Sequence, residues 1–350
     1  MLDWKKRSVT QEPENHAAAS VRSRGNGPLK LLALVVCLYL LVAMIVGWYW
    51  SQEPEAFPVQ QHAQAAAQEA QRPLVGGYTT VETLKEVTRT LLDKPGGYLS
   101  NDIAPPGLWL DNMPSWEYGV LVQVRDFARA LRKDFARSQS QSTEDADLAK
   151  AEPLFNFDNK SWALPATEGE YRQAIAALDR YLANLADSNK AGVQFYTRAD
   201  NLNNWLGDAA TRLGSLSQRL SASVGQVRLE NAQALPAEMQ GELSENGVYE
   251  TPWLQIDNVF YEARGQAWAL AHLLRAIEVD FADVLAKKNA TVSVRQIIRE
   301  LEAAQAPLWS PVILNGSGYG ILANHSLVMA NYLSRANAGI IDLRQLLSQG

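Results

Sequence analysis

FYEARGQAWALAHLLRAIEVDFADV, residues 260–284, sets the fold class. Phe260, Ala263, Ala267, Leu270, Leu274, Ile277, Phe281 and Val284 recur at steps of three and four, which places them on one face of an α-helix. An apolar face of that length has to be covered, so it demands partner helices. Trp116, Val120, Val124, Phe127, Leu131 and Phe135 form a second such stripe. Leu202, Trp205, Ala209, Leu213, Leu216 and Leu220 form a third, and Tyr171, Ile175, Leu178, Leu182 and Leu185 a fourth. Thr79 with Glu82, Thr167 with Glu170 and Ser293 with Gln296 have capping-box spacing, which predicts helix starts there. No run sustains the period-two alternation of a half-buried strand, and the expectation is an all-α bundle.

The chain also matches itself. Asp111-Asn112, Arg129-Ala130 and Asp134-Phe135-Ala136 recur at one constant offset as Asp257-Asn258, Arg275-Ala276 and Asp280-Phe281-Ala282. Tyr78-Thr79 returns as Tyr196-Thr197, Leu99-Ser100 as Leu243-Ser244, and Pro153-Leu154-Phe155 as Pro307-Leu308-Trp309. Two tandem duplicated helical units, 78–190 and 191–350, related by a pseudo-two-fold axis, are therefore expected. Coincidence between Ala- and Leu-rich helices is the alternative.

Upstream of the bundle lies LLALVVCLYLLVAMIVGWYW, Leu31–Trp50, an apolar run that as a helix matches a hydrocarbon core of about 30 Å. It is longer than the core of a cleaved signal and leaves through Trp48, Tyr49 and Trp50, residues that favour the headgroup level. A retained transmembrane helix over 29–50 is expected. Arg22, Arg24 and Lys30 precede it while Glu53 and Glu55 follow, so the positive-inside rule puts the tail, 1–28, in the cytoplasm and the remainder in the periplasm of a bacterial inner membrane. The tail is too short for an output domain. Residues 51–77, rich in Pro, Gln and Ala, read as a periplasmic stalk whose middle, 60–72, has helical propensity.

The whole chain carries a net charge of −6. Setting aside the tail and Lys30 leaves 26 of its 32 basic and 35 of its 38 acidic residues, net −9, which disfavours nucleic acid or anionic lipid as the partner of the body. The sole cysteine, Cys37, lies in the apolar run, so the remainder must rely on a hydrophobic core rather than disulfides.

Chemistry is sparse. Beyond residue 62 the only histidines are His272 and His325, neither in a metal-ligand spacing, and no metal or cofactor is expected. His272 stands one step from the stripe of its helix and reads as a satisfied semi-buried histidine; His325 follows Asn324 at a helix start. Asn315-Gly316-Ser317-Gly318-Tyr319-Gly320 lacks the Lys-Ser/Thr ending of a phosphate loop and the spacing of a nucleophile elbow, and reads as a flexible turn. Among the carboxylates, Asp111, Asp257, Asp134, Asp280, Glu278 and Glu117 are candidates for the acid of a glycosidase. Recurrence of the aspartates in both halves favours a structural role, as caps and helix ends. The long loops 96–114 and 233–252 carry Pro, Gly and Trp. Trp109, Trp116, Trp253 and Trp309 are taken as a candidate interaction surface, with core anchoring as the alternative.

The short basic tail, the single span at 31–50, Val75-Gly76-Gly77-Tyr78, and the Asp111-Asn112 and Trp253-Leu254 stretches before long helices give the chain a layout that resembles the domain of unknown function 2333 family of proteobacterial inner-membrane proteins. The resemblance implies a single-pass envelope protein and transfers no catalytic residue. An anchor, a large helical body and no recognisable site lead to the expectation of a non-catalytic envelope adaptor or assembly factor, bound to the bilayer through 29–50 and to an envelope protein or to copies of itself. A peptidoglycan or polysaccharide hydrolase, and a periplasmic ligand sensor working through a membrane partner, are the rival readings.

Overall fold

The structure, a computed structural model, describes residues 27–138, 143–190, 192–227, 248–310, 312–317 and 320–349. Its chain divides into two compact units, Met1–Met44 and Ile45–Gly350. What is described of the first is the start of helix α1 (Gly27–Trp50), in which Leu29–Trp50 is long and apolar enough to cross a membrane, with a mean hydropathy of 2.8.

The second unit is helical, as the stripes require. Its helices are α2 (Val59–Glu69), α3 (Tyr78–Asp93), α4 (Asn112–Ala130, continued by a π-helical turn to Phe135), α5 (Leu148–Phe155), α6 (Thr167–Ala186), α7 (Ala199–Ser221), α8 (Ile256–Asp280), α9 (Ala282–Lys287), α10 (Thr291–Ala303) and α11 (His325–Ser348). Among the described residues the strand pairing is one short antiparallel ladder, Gln226–Val227 against Val248–Tyr249. Trp116, Val120, Val124, Phe127, Leu131 and Phe135 are all fully buried, as are Ala263, Ala267, Leu270, Leu274, Ile277 and Phe281.

Helices α4 and α8 form the centre and run parallel. Asp111 lies beside Asp257 at their starts, and Phe135 meets Phe281 edge to face at their ends, with ring centroids 5.6 Å apart. Between these points the backbones touch. A Cβ added to Gly119 would lie 2.1 Å from the Glu262 carbonyl oxygen, and one added to Gly265 would lie 2.0 Å from that of Trp116. The two contacts are reciprocal, because 119 and 265, 116 and 262, and 111 and 257 are all separated by 146 positions.

Other helices alternate in direction around this pair. The start of α3 meets the end of α8, where Thr80 donates to Asp280 through its backbone N–H (2.7 Å) and its hydroxyl (2.6 Å). The start of α7 meets the end of α4, where Asn201 donates to the Asp134 carbonyl at 2.9 Å and Tyr196 N–H to that of Phe135 at 2.7 Å. Helix α11 lies antiparallel to α7 through Ser217 to the Ala330 carbonyl and Arg344 to Asn203, and α10 lies antiparallel to α8 through the Arg295–Glu278 and Arg275–Glu302 pairs. One end of the body, called here the exit end, therefore gathers the connections 94–111, 156–166, 304–324 and the described ends of 222–255.

Residues Ile45–Trp50 belong to this body. Trp50 packs on the core, and a Cβ on Gly96 would come within 2.7 Å of its ring. The segment expected to be a stalk is packed too. Glu53 binds Arg264, Phe57 stacks on His272 at 4.2 Å, Val59, Ala63 and Ala67 of α2 are buried, and Arg72 reaches Asp179 at 3.0 Å. Its apolar residues are few, but their spacing covers the outer face of α3 and α8.

The three expected capping boxes do not form. Helix α3 starts after Gly77, whose φ of +87° and close approach to Phe195 suit only glycine; α6 starts after Ala166 and α10 after Ala290. Thr79 and Ser293 fall inside their helices, and the Thr167 hydroxyl donates instead to the Asp158 carbonyl at 2.7 Å. A carboxylate from another helix, Asp280, serves the start of α3, a stronger partner for an N-terminal amide than a threonine hydroxyl.

Substituting Gly265→Ala is expected to cost about 1–3 kcal/mol, because α4 and α8 must separate to admit the methyl. Gly169→Ala in α6, where a Cβ meets nothing within 4 Å, is expected to be neutral or stabilising. Urea unfolding of the detergent-solubilised full-length protein compares them, and equal midpoints would remove the close crossing from the account.

Candidate functional site

Three of the four tryptophans proposed as a surface lie at the exit end. Trp109 sits on a 3-10 turn before α4 and Trp253 on a 3-10 turn before α8, with exposures of 55% and 77%; Trp309, in the connection before α11, is 95% exposed. Trp116 is a correction. It is fully buried, on the α4 stripe at the crossing with α8, its ring 5.3 Å from that of Trp268. Helical spacing with Val120 and Phe127 made it a core residue, and proximity to a loop in sequence was the wrong guide.

Of the carboxylates proposed as acids, Glu117 and Asp280 tie separate elements of the fold together. Glu117, wholly buried, accepts from the Leu99 and Ser100 backbone N–H groups at 2.8 Å each and pairs with buried Lys94, tying the loop after α3 to α4. Asp280 holds the start of α3, and burial raises its carboxyl above the ordinary range while the bonds from Thr80 oppose this. Asp134 accepts weakly from Asn204 (3.4 Å), and Glu278 pairs with exposed Arg295. Asp111 occupies the N-cap position of α4 without a side-chain bond, whereas Asp257 is inside the first turn of α8 and accepts from the Asn258 N–H at 3.0 Å. Burial and neighbouring Asp111 push the Asp257 carboxyl upward.

Both histidines are satisfied. His272 is buried; its Nδ1 donates to the Trp268 carbonyl at 2.7 Å, leaving Nε2 to accept from the Phe57 N–H at 3.1 Å. His325 Nδ1 accepts from the Leu314 N–H at 3.1 Å. Among the described residues no cluster of three or more His, Cys, Asp or Glu is placed to hold a metal ion. The glycine-rich turn is closed rather than loose where it is described. Asn324 donates to Gly316 O (2.6 Å) and Asn315 Oδ1 (2.8 Å), Gly316 N–H donates to Ala323 O, and Asn324 Oδ1 accepts from the Leu327 N–H as the cap of α11. Gly318 and Tyr319, and residues 233–247 of the second long loop, lie outside the described residues.

Two cavities open at this end. The larger, about 550 Å³, lies between the starts of α4 and α8 and is polar, bordered by Ser100, Tyr118, Lys160, Arg219 and Glu262; its acid, Glu262, is clamped by Arg219 at 2.6 and 2.8 Å. The other, about 510 Å³, is apolar, walled by Phe260, Leu308, Trp309, Val328, Met329 and Tyr332. Arg264 lies at its edge with its guanidinium spent on Glu53 and on the carbonyls of Ala304 and Ala306, just after α10. Reasoning from sequence missed this cavity, because its walls come from α8, α11 and an irregular connection. The available signal was the run of apolar residues, Pro307 to Ile313, in a segment without helical period.

The molecule is an all-helical protein with one N-terminal helix long and apolar enough to span a membrane. It belongs to the family described as an uncharacterized protein conserved in bacteria (DUF2333), which matches residues 23–350. No curated protein and no solved structure matches the chain.

His272 makes the packing of the 51–58 segment pH-sensitive. Burial holds its imidazole at about 4, below the ordinary 6.5, because the apolar surroundings disfavour the cation. The unfolded chain takes up a proton between pH 6.5 and 4 that the folded chain refuses, so stability present above pH 6.5 is lost as pH falls toward 4. Urea unfolding at pH 7 and pH 5 should show a smaller loss, by about 1–2 kcal/mol, in His272→Gln than in the unaltered protein. An equal loss in both would assign the effect to other groups.

Proposed function

We propose that the protein is a single-pass protein of the bacterial inner membrane, with its N-terminus in the cytoplasm, α1 retained as an anchor and the body in the periplasm. There it acts as a non-catalytic adaptor or assembly factor that holds an envelope partner, either another protein or a second copy of itself. The basic residues before the span and the acidic ones after it support the orientation. The reciprocal contacts of Gly119 and Gly265, and the reception of α3 by α8 and of α7 by α4, support a body built from two duplicated units.

One observation carries the adaptor reading. The buried carboxylates are consumed by the fold, while large apolar side chains remain uncovered around a cavity at Trp309, with Trp309 95% and Val328 54% exposed. Apolar surface that a fold leaves open marks a place where something docks. The same cavity also favours the sensor reading, since its size suits a small apolar ligand.

The test is photo-crosslinking of the full-length protein in native membranes, with the photoreactive residue placed at Trp309 or Val328. A single crosslinked product from both positions, lost when Met329→Trp fills the cavity, is the expected result. Recovery of no specific product, together with hydrolysis of peptidoglycan by the purified protein, would replace the adaptor with the hydrolase. A rise in melting temperature with a small apolar compound, and no protein product, would select the sensor.

A further inference from the structure

The body and the end of α1 are built into one another. A Cβ on Gly47 would stand 3.4 Å from Pro106 Cβ and 3.8 Å from Leu110, and Trp50 lies against Gly96. Gly47 is three residues inside the apolar run that ends at Trp50, about 4.5 Å along a helix axis. The loop that touches it, 96–110, therefore reaches the depth of the span's own last turn. Its sequence suits that depth, because GGYLSNDIAPPGLWL contains one charged residue, Asp102. Ile103, Leu108 and Trp109 project from it with exposures of 58%, 58% and 55%.

A second turn stands beside the first. Trp253 and Leu254, 77% and 75% exposed, precede α8 as Leu108 and Trp109 precede α4, and Asp111 lies next to Asp257 where those helices begin. Trp109, Trp162, Trp253 and Trp309 are the exposed tryptophans of the described residues beyond α1, and all four lie in exit-end connections. Three other tryptophans of the body, Trp116, Trp205 and Trp268, are in the core. Indole rings gathered where a span emerges match the headgroup layer, which accepts an apolar ring and offers partners to its N–H.

We propose that the turns 103–109 and 253–254 seat in the headgroup layer of the leaflet from which α1 emerges, so that the bilayer is the occupant of this face and the body rests on the membrane. The seat rests on the reading of α1 as a span. It leaves the Trp309 cavity free for a partner and fixes that cavity close above the lipid.

Nitroxide-lipid quenching of a fluorophore on single cysteines tests it, using the full-length protein in phosphatidylethanolamine and phosphatidylglycerol vesicles. Cys37→Ser carries Leu108→Cys, Trp253→Cys or Val292→Cys in turn, all at exposed positions, Val292 being 72% exposed at the start of α10 near the opposite end. A group seated at the headgroup and acyl boundary lies about 5–10 Å into the bilayer, so labels at 108 and 253 are expected to lose about half their emission to nitroxides near the headgroup. The label at 292 should lose none. Equal quenching at 108, 253 and 292, or protection of 108 and 253 from both lipid nitroxide and aqueous iodide, overturns the seat. A label on native Cys37 separates the two readings. Quenching at Cys37 by a deep nitroxide without quenching at 108 and 253 refutes the seat alone, whereas no quenching at Cys37 refutes the span.

Discussion

The close parallel crossing of α4 and α8 is the constraint on which the remaining packing depends. At Gly119 and Gly265 the backbones approach within a distance that no side chain survives. Each glycine costs its helix about 0.5–1 kcal/mol relative to alanine, so the residue is kept there against local preference. The return is a two-helix centre in which Trp116 and Trp268 fill the space beside the contact and the stripes above them, through Phe127 to Phe135 and through Leu274 to Phe281, receive α3, α7, α10 and α11. Burial of these apolar faces, with the many small dispersion contacts it brings, is the main force holding the outer helices.

Parallel central helices have a topological consequence. Each must be entered from the same end, so the long connections before α4 and before α8 both lie at the exit end. The chain uses Glu117 to pin the first of them, and a carboxylate that accepts two backbone N–H groups and a lysine cannot also be a free acid. Removing one partner of such a buried pair strands a charge, which makes the cluster a structural lock. The same logic applies to Arg264, which binds together Glu53, just after α1, and the Ala304 and Ala306 carbonyls, just after α10. The segment 51–77 is held along its length by contacts of this kind, and that is why a Pro-, Gln- and Ala-rich stretch with little apolar content still packs.

Periodicity made the helices legible. Every stripe read from spacing faces the core, with only Ile175, Leu185 and Val284 partly exposed, because a helix face needs only local sequence to define it. What could not be read was whatever depends on a distant partner. Thr79 and Glu82 have the spacing of a capping box, yet the start of α3 is served by Asp280, two hundred residues away in the chain. Trp116 stands next to a loop in sequence but faces Trp268 in space. The apolar cavity draws its walls from α8, α11 and the connection between α10 and α11, and no single segment encodes it. Asn324, which closes the turn at 315–323 and caps α11, was visible only as the residue before a histidine. Trp109, Trp253 and Trp309 stand outside any stripe and are exposed, which separates them from Trp116.

The paired aspartates show how a recurring residue can keep a role while changing its bond. Asp280 ends α8 and receives α3 through its side chain; Asp134 ends α4 and receives α7 chiefly through its backbone carbonyl, with Asn201 as donor. In both cases the start of an outer helix is received at the end of a central one, α3 at α8 and α7 at α4. Parting α4 from α8 would therefore uncover two helix starts as well as the face between them. The bundle is interlocked rather than a string of two modules. A body of this kind keeps its exit-end loops in fixed relation to one another, because α4 and α8, which follow the turns of Trp109 and Trp253, touch from the glycine crossing to Phe135 and Phe281.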